Sequence, residues 1–199
     1  DFGLDAELAA NGDLILAGHA GAALPGVAGF GGPDVFVARY SPDGERLWLR
    51  QHGTSGTEEA HALATHPVHG TFIAGKSDSD WFGQSNAGSF DAFVAKLDEQ
   101  GEIVWVRHLG SSGYDQAKAL AIGPDGSLYV AGDTDGNLAA PPLPGTRNAW
   151  VARLSPDGDP VWIEQSYDAI GDGVTALAVD GNGVYYTGER YTGPVGALS

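Results

Sequence analysis

The feature that most constrains this chain is an internal repeat of 57 residues. The segment Asp34-Val-Phe-Val-Ala-Arg39 returns as Asp91-Ala-Phe-Val-Ala-Lys96 and again as Asn148-Ala-Trp-Val-Ala-Arg153, each 57 residues on. Trp48, Trp105 and Trp162 keep the same step, as do Gly18, Gly75 and Gly132, while Gly188 falls one residue short. Three landmarks in one register mean that each repeat is a single supersecondary unit.

Each repeat reads as four short strands. In the third they are Ala117–Ile122, Ser127–Gly132, Asn148–Leu154 and Pro160–Gln165, rich in Val, Ile, Leu and aromatic residues and bounded by Gly, Pro, Asp and Asn. No apolar period of 3.6 residues is sustained, so almost no helix is expected. The links alternate in kind. Short ones such as Ser41-Pro-Asp-Gly44, Asp98-Glu-Gln-Gly101 and Ser155-Pro-Asp-Gly158 join the third strand to the fourth, with Gly in the left-handed position that closes the hairpin. The link from the second strand to the third is long each time: His19–Pro33, Lys76–Phe90 and Asp133–Arg147.

A four-stranded antiparallel unit of this size cannot bury both faces alone, and radial stacking of several such units solves the problem. The expected fold is therefore all-β, a β-propeller of four-stranded antiparallel blades, with three and a half blades in a single propeller region, 1–199. The blades fall at 1–53, 57–110 and 114–166, with a partial blade at 171–199. The innermost strands are Ala-rich (Ala60, Ala62, Ala64; Ala117, Ala119, Ala121), as suits a crowded wall near the axis. Ending after two strands of a blade leaves an open edge. The expected whole is a longer propeller, or one completed by another polypeptide.

Composition narrows the partners. With 26 acidic against 10 basic residues, the net charge of −16 argues against nucleic acid, whose binding needs Lys and Arg to displace counterions, and against an anionic membrane surface. No apolar run is long enough for a membrane span. The absence of Cys excludes disulfides, thiolate metal sites and a cysteine nucleophile.

Residues 91–134, with Asp-Ala-Phe-Val-Ala-Lys-Leu-Asp, then Leu-Gly-Ser-Ser-Gly-Tyr-Asp and Gly-Pro-Asp-Gly-Ser-Leu-Tyr-Val-Ala-Gly-Asp-Thr, resemble the SBBP-type bacterial β-propeller repeat. The resemblance implies a propeller fold and a large secreted or cell-surface bacterial protein, and it supplies no catalytic residues. The Ala95-x5-Gly101-x3-Trp105 spacing, matched by Ala38…Gly44…Trp48 and Ala152…Gly158…Trp162, resembles the tryptophan-docking motif of quinoprotein dehydrogenases. That likeness implies that the three tryptophans lock one blade to the next. Ser41-Pro-Asp-Gly-x3-Trp48 is also close to the Asp box of sialidases, itself a structural turn.

The long links and blade-to-blade connections share one face, so binding is expected there. Glu58, Asp115 and Asp172 recur at 57-residue steps just before the innermost strand and read as an acidic ring at the channel mouth that would suit a cation or cationic ligand. The competing reading is that each carboxylate caps the backbone of its own turn. Asp133-Thr-Asp135-Gly-Asn137 alternates oxygen donors before a Gly, as a calcium loop does, or is an ordinary Asp/Gly turn. Trp81 and Phe82 in a long loop, with Tyr114 in the next blade link, offer aromatic surface for a sugar or peptide unless they tuck under their loops. His61, His66 and His69 lie close in sequence, but the odd spacing puts His61 and His66 on opposite faces of a strand.

The functional expectation is a non-catalytic binding or scaffold module of an extracytoplasmic bacterial protein or multi-subunit assembly, with a protein partner or the remainder of a longer chain completing the propeller. No cofactor is required, though calcium is compatible. The alternatives are a calcium-assisted glycan- or peptide-binding propeller, and a hydrolase or lyase working through the channel-mouth carboxylates.

Overall fold

The computed structural model describes residues 2–139, 147–166, 173–180 and 183–189. Among them there are strands and turns and no helix. Strands β1 (Phe2–Leu8), β2 (Leu14–Ala20), β3 (Asp34–Tyr40) and β4 (Arg46–His52) form one antiparallel sheet in that order. The same order recurs in β5 (Glu58–His66), β6 (Gly70–Ser77), β7 (Asp91–Leu97) and β8 (Ile103–Leu109), and in β9 (Asp115–Ile122), β10 (Leu128–Thr134), β11 (Asn148–Leu154) and β12 (Pro160–Ser166). β13 (Gly173–Val179) and β14 (Val184–Glu189) pair as a hairpin. The first strands β1, β5, β9 and β13 lie side by side and form the inner wall of a partial propeller.

Burial follows from this stacking. Consecutive residues Ala92, Phe93, Val94 and Ala95 of β7 are all buried, which a sheet with one wet face does not allow. Phe93 and Ala95 pack with Val35 and Val37 of the first sheet. Ala92 and Val94 pack on the opposite side with Val130 and Trp150 of the third. A smaller cluster of Ala131, Val151 and Val174 joins the third sheet to the β13–β14 hairpin.

The inner strands share one irregularity. Register shifts occur at Gly3/Asp5, Ala60/Ala62 and Val174/Ala176 along β1, β5 and β13, and β9 shifts in the same way opposite Ala131/Gly132. The extra residues are Leu4, His61, Lys118 and Thr175, each 57 from the last. A bulge bends the strand and brings its backbone close to the partner. Gly18, Gly75 and Gly132 sit at that approach: a Cβ there would run into the carbonyl oxygens of Phe2, Glu59 and Gln116. The recurrent glycine is thus a steric requirement of the inner-strand bulge.

The outer rim is held by a repeated latch. The Trp48 ring lies on the β7–β8 turn of the next sheet, where a Cβ on Gly101 would come within 2.6 Å of the indole, and its Nε1 donates to the Glu99 carbonyl at 3.2 Å. Two residues on, Arg50 Nε donates to Glu102 Oε1 at 2.6 Å. The next junction repeats the design. Trp105 covers Gly158, whose Cβ would lie 2.8 Å from the ring, and Arg107 donates to the Gly158 carbonyl at 2.9 Å and to Asp159 Oδ1 at 2.8 Å. An indole against a bare glycine buries a large apolar ring, while the exposed ion pair sets register more than it adds stability.

Gly44, Gly101 and Gly158 share φ values near +80° (84, 79 and 85), and nothing lies within 4 Å of a Cβ on Gly44. Alanine at any of the three incurs the left-handed backbone penalty of ~1–2 kcal/mol. Gly101→Ala and Gly158→Ala are expected to lose a further ~1–3 kcal/mol through the indole clash, and Gly44→Ala is not. Denaturant midpoints of the three variants measure the difference.

Candidate functional site

The ends of β2, β6 and β10 and the starts of β5 and β9 meet at the long-link end of the inner wall. Glu58 opens β5 and is fully buried. Its Oε2 accepts from Thr54 N at 2.6 Å, and its Oε1 accepts from Thr54 Oγ1 at 2.8 Å and from Ser77 Oγ at 3.2 Å. Burial pushes the Glu58 carboxyl above the usual glutamate range, against the pull of those bonds. Asp115, also fully buried, does the same one repeat later: Oδ2 accepts from Ser111 N at 2.6 Å and Ser111 Oγ at 2.8 Å, and Oδ1 accepts from Thr134 Oγ1. These carboxylates cap their own turns. The open acidic ring read from the sequence is corrected for Glu58 and Asp115, because neither presents oxygens to the channel. Asp172 lies outside the described residues.

A different set of side chains gathers beside them. His61 Nε2 lies 3.2 Å from Glu59 Oε2, and His61 Nδ1 lies 3.0 Å from the Ala117 carbonyl of the next blade. Lys76 Nζ contacts the same Glu59 oxygen at 3.2 Å and donates to the Tyr114 hydroxyl at 3.1 Å. That hydroxyl donates to Gln116 Oε1 at 3.3 Å, and Gln116 Nε2 donates to Asp133 Oδ2 at 3.0 Å. Lys118 Nζ reaches Asp133 Oδ1 at 2.6 Å, and Arg147 Nε donates to Asp133 Oδ2 at 2.7 Å. The result is one polar chain from His61 to Arg147 across two blades.

Electrostatics match this geometry. Burial would raise the Glu59 carboxyl, but the bond from His61 and the charge of Lys76 outweigh it and hold it low. Burial would lower Lys76, but Tyr114 and Glu59 outweigh it and hold the ammonium high. The side chain also lies over the Phe90 ring, 4.8 Å from its centroid. Two of the three lysines in a strongly acidic chain are spent here.

Sequence reasoning missed Glu59, Lys76, Gln116, Lys118 and Arg147, since their meeting depends on the pairing of β5 with β6 and of β9 with β10 and on the bulges at His61 and Lys118. For Asp133 it left a calcium loop and an ordinary turn both open. Both its oxygens are taken by two cations and an amide, so the cation-loop reading of Asp133, Asp135 and Asn137 does not describe this carboxylate. Asp135 ties its backbone N–H to the Tyr114 carbonyl at 2.8 Å. Among the described residues no three His, Asp or Glu side chains are arranged to hold a metal ion.

The loop aromatics divide. Trp81 is buried, edge-on to Phe93 at 5.1 Å, so it belongs to the core and is corrected as a binding residue. Phe82, edge-on to Trp81 at 6.0 Å, is 54% exposed and has a left-handed φ of 49°. Tyr114 is half-buried against Phe90 and belongs to the polar chain.

Residues 104–139 span β8, β9 and β10 with their links, and they match the SBBP family model, a β-propeller repeat. This segment is an SBBP repeat. It holds Trp105 and Arg107 of the latch, the Asp115 cap, and Gly132 with Asp133. The chain is also 30% identical over 186 residues to the regulatory protein FlaEY of Caulobacter vibrioides, a match covering 89% of this chain and 19% of that protein. The chain thus spans about a fifth of the length of the curated relative it matches.

One further position varies among the repeats. Asp34 accepts from Gln51 Nε2 at 2.8 Å, and the equivalent pair in the second repeat is Asp91 and His108, 3.8 Å apart and both buried. Burial pushes Asp91 up and His108 down. A histidine held neutral in the fold is protonated first in the unfolded chain. Its stability contribution is full above the ordinary histidine pKa and is lost as pH falls below about 6.5.

Two outcomes follow for the SBBP segment. His108→Gln, which copies Gln51 of the first repeat, is expected to shrink the fall in Tm between pH 7.5 and pH 5.5; scanning calorimetry at the two pH values reads it. Asp133→Ala strips the shared partner from Lys118 and Arg147 and is expected to cost ~1–3 kcal/mol, since both cations are partly solvated. Urea unfolding measures that loss.

Proposed function

We propose that this chain is a non-catalytic binding and scaffold module of a bacterial protein acting outside the cytoplasm, and that it engages a protein partner through its long-link face. The observation that carries this reading is the state of Glu58 and Asp115. They are the channel-mouth carboxylates within the described residues, and both are buried and spent on their own turns. An acid–base pair needs a carboxyl within reach of substrate, and neither provides one. The long links instead present Phe30 and Phe82, 49% and 54% exposed, above a rigid scaffold. Isolated exposed aromatics on a fixed frame are the kind of group that anchors a protein interface.

The SBBP match supports placement outside the cytoplasm by family resemblance. FlaEY is named a regulatory protein, and a regulatory role supports a part that holds other proteins in place. The strong negative charge favours a partner with a basic surface.

The test uses the chain as bait in an envelope extract of its own host, beside a Phe30→Ser/Phe82→Ser variant. Capture of a defined protein by the parent, lost in the variant with an unchanged Tm, is the expected result. Capture that survives the double change overturns the long-link face. Heat unfolding with calcium and with chelator forms the second arm. Equal Tm values are expected, and calcium-dependent protection would favour a cation-assisted ligand site instead.

A further inference from the structure

The rim latch is made twice, at Trp48 on Gly101 and at Trp105 on Gly158, and its receiving half exists a third time with no occupant among the described residues. Where the second sheet receives Trp48, the surrounding cleft includes Thr65, Thr71, Leu97, Asp98 and Glu99. Stepping back 57 residues gives Leu8, Leu14, Tyr40, Ser41 and Pro42, and with Gly44 these line a cleft of about 370 Å³ on the outer side of the first sheet. Leu8 and Leu14 are exposed there, 67% and 38%, and a Cβ on Gly44 would meet nothing. The floor of the cleft is more apolar than its filled counterpart, with two leucines in place of two threonines.

The charged half is present too. Glu45 stands where Glu102 and Asp159 stand in the occupied latches. Those two accept Arg50 and Arg107, whereas Glu45 has no ion pair among the described residues. The turn that carries it has the same geometry as its occupied equivalents. Ser41 N donates to the Glu45 carbonyl at 2.8 Å, Asp98 N to that of Glu102 at 2.9 Å, and Ser155 N to that of Asp159 at 2.8 Å.

We propose that the Leu8–Leu14–Tyr40–Gly44 cleft with Glu45 is a preformed socket for the outermost strand of a further repeat bearing Trp-x-Arg, indole on Gly44 and guanidinium on Glu45. Both filled sockets in this chain take that sequence, Trp48-Leu-Arg50 and Trp105-Val-Arg107. A second copy of this chain does not supply it. Its first two outer strands are engaged in their own latches, and the third reads Trp162-Ile-Glu164, which would set Glu164 against Glu45. The charge of Glu45 therefore favours a strand that carries arginine two residues after its tryptophan.

The test extends the full chain at its N-terminus with a copy of residues 1–57, which keeps the register and brings a Trp48–Arg50 strand to Gly44. In the parent, the Hα protons of Gly101 and Gly158 are expected to be shielded by their indoles and those of Gly44 to be unshielded. In the extended chain, Gly44 of the original first blade is expected to move upfield into the range of Gly101. It returns when Trp48→Ala is placed in the added copy. Glu45→Arg in the original blade should lower the Tm of the extended chain, and Arg50→Glu in the added copy should restore it. A Gly44 that stays unshielded while Gly101 and Gly158 keep their shifts overturns the proposal. So does shielding of Gly44 in the parent that grows with concentration together with a dimeric mass, since a second copy would then be the occupant.

Discussion

Everything in this molecule depends on burying both faces of every inner blade. The run Ala92-Phe93-Val94-Ala95 sends alternate side chains to opposite sides of β7, and all four are inaccessible to water. At ~25 cal/mol per Å² of apolar surface, leaving either side wet would remove most of what holds a sheet of seven-residue strands. The blades are therefore not independent units. Each supplies half of two interfaces, and stability is shared between neighbours as in other repeat proteins.

Close stacking has two consequences that the polar residues answer. Near the axis the inner strands bulge and approach their partners, which demands glycine opposite the bulge and brings side chains such as His61 and Lys118 to the wall. Polar groups collected there are withdrawn from water, so they pair with one another along the chain from His61 to Arg147. At the rim the blades splay apart, and there the indole, the bare glycine turn and the arginine close the gap. A motif that resembles one known for docking blades performs that role here through measurable contacts, Trp48 to Gly101 and Trp105 to Gly158.

This division suits the binding role proposed for the long-link face. At the inner wall the charged groups Glu59, Lys76, Lys118, Asp133 and Arg147 are engaged with one another, while Glu58 and Asp115 are capped by their own turns. The long links carry exposed aromatics such as Phe30 and Phe82 beside the stacked sheets. The departures from the repeat are local: histidine for glutamine at His108, glutamate for arginine at Glu164, and leucines for threonines at Leu8 and Leu14. Each changes one junction without altering the fold.

The sequence by itself determined the strand count per repeat, the strand order and the places of the turns, because these rest on local signals: alternation of apolar residues, Pro-Asp-Gly turns and the 57-residue register. It also marked Glu58 and Asp115 as special, and the capping role it offered for them is the one the geometry gives. Only the tertiary structure decided which polar groups meet. Glu59, Lys76, Gln116, Lys118 and Arg147 are scattered along the chain, and strand pairing together with the bulges at His61 and Lys118, invisible to a pattern of period two, brings them to one wall. Nor could composition tell Trp81 from Phe82. The two adjacent rings meet edge-on at 6.0 Å, yet one is packed against Phe93 in the core and the other is left in water at a left-handed turn position, a difference that only the packing of the loop decides.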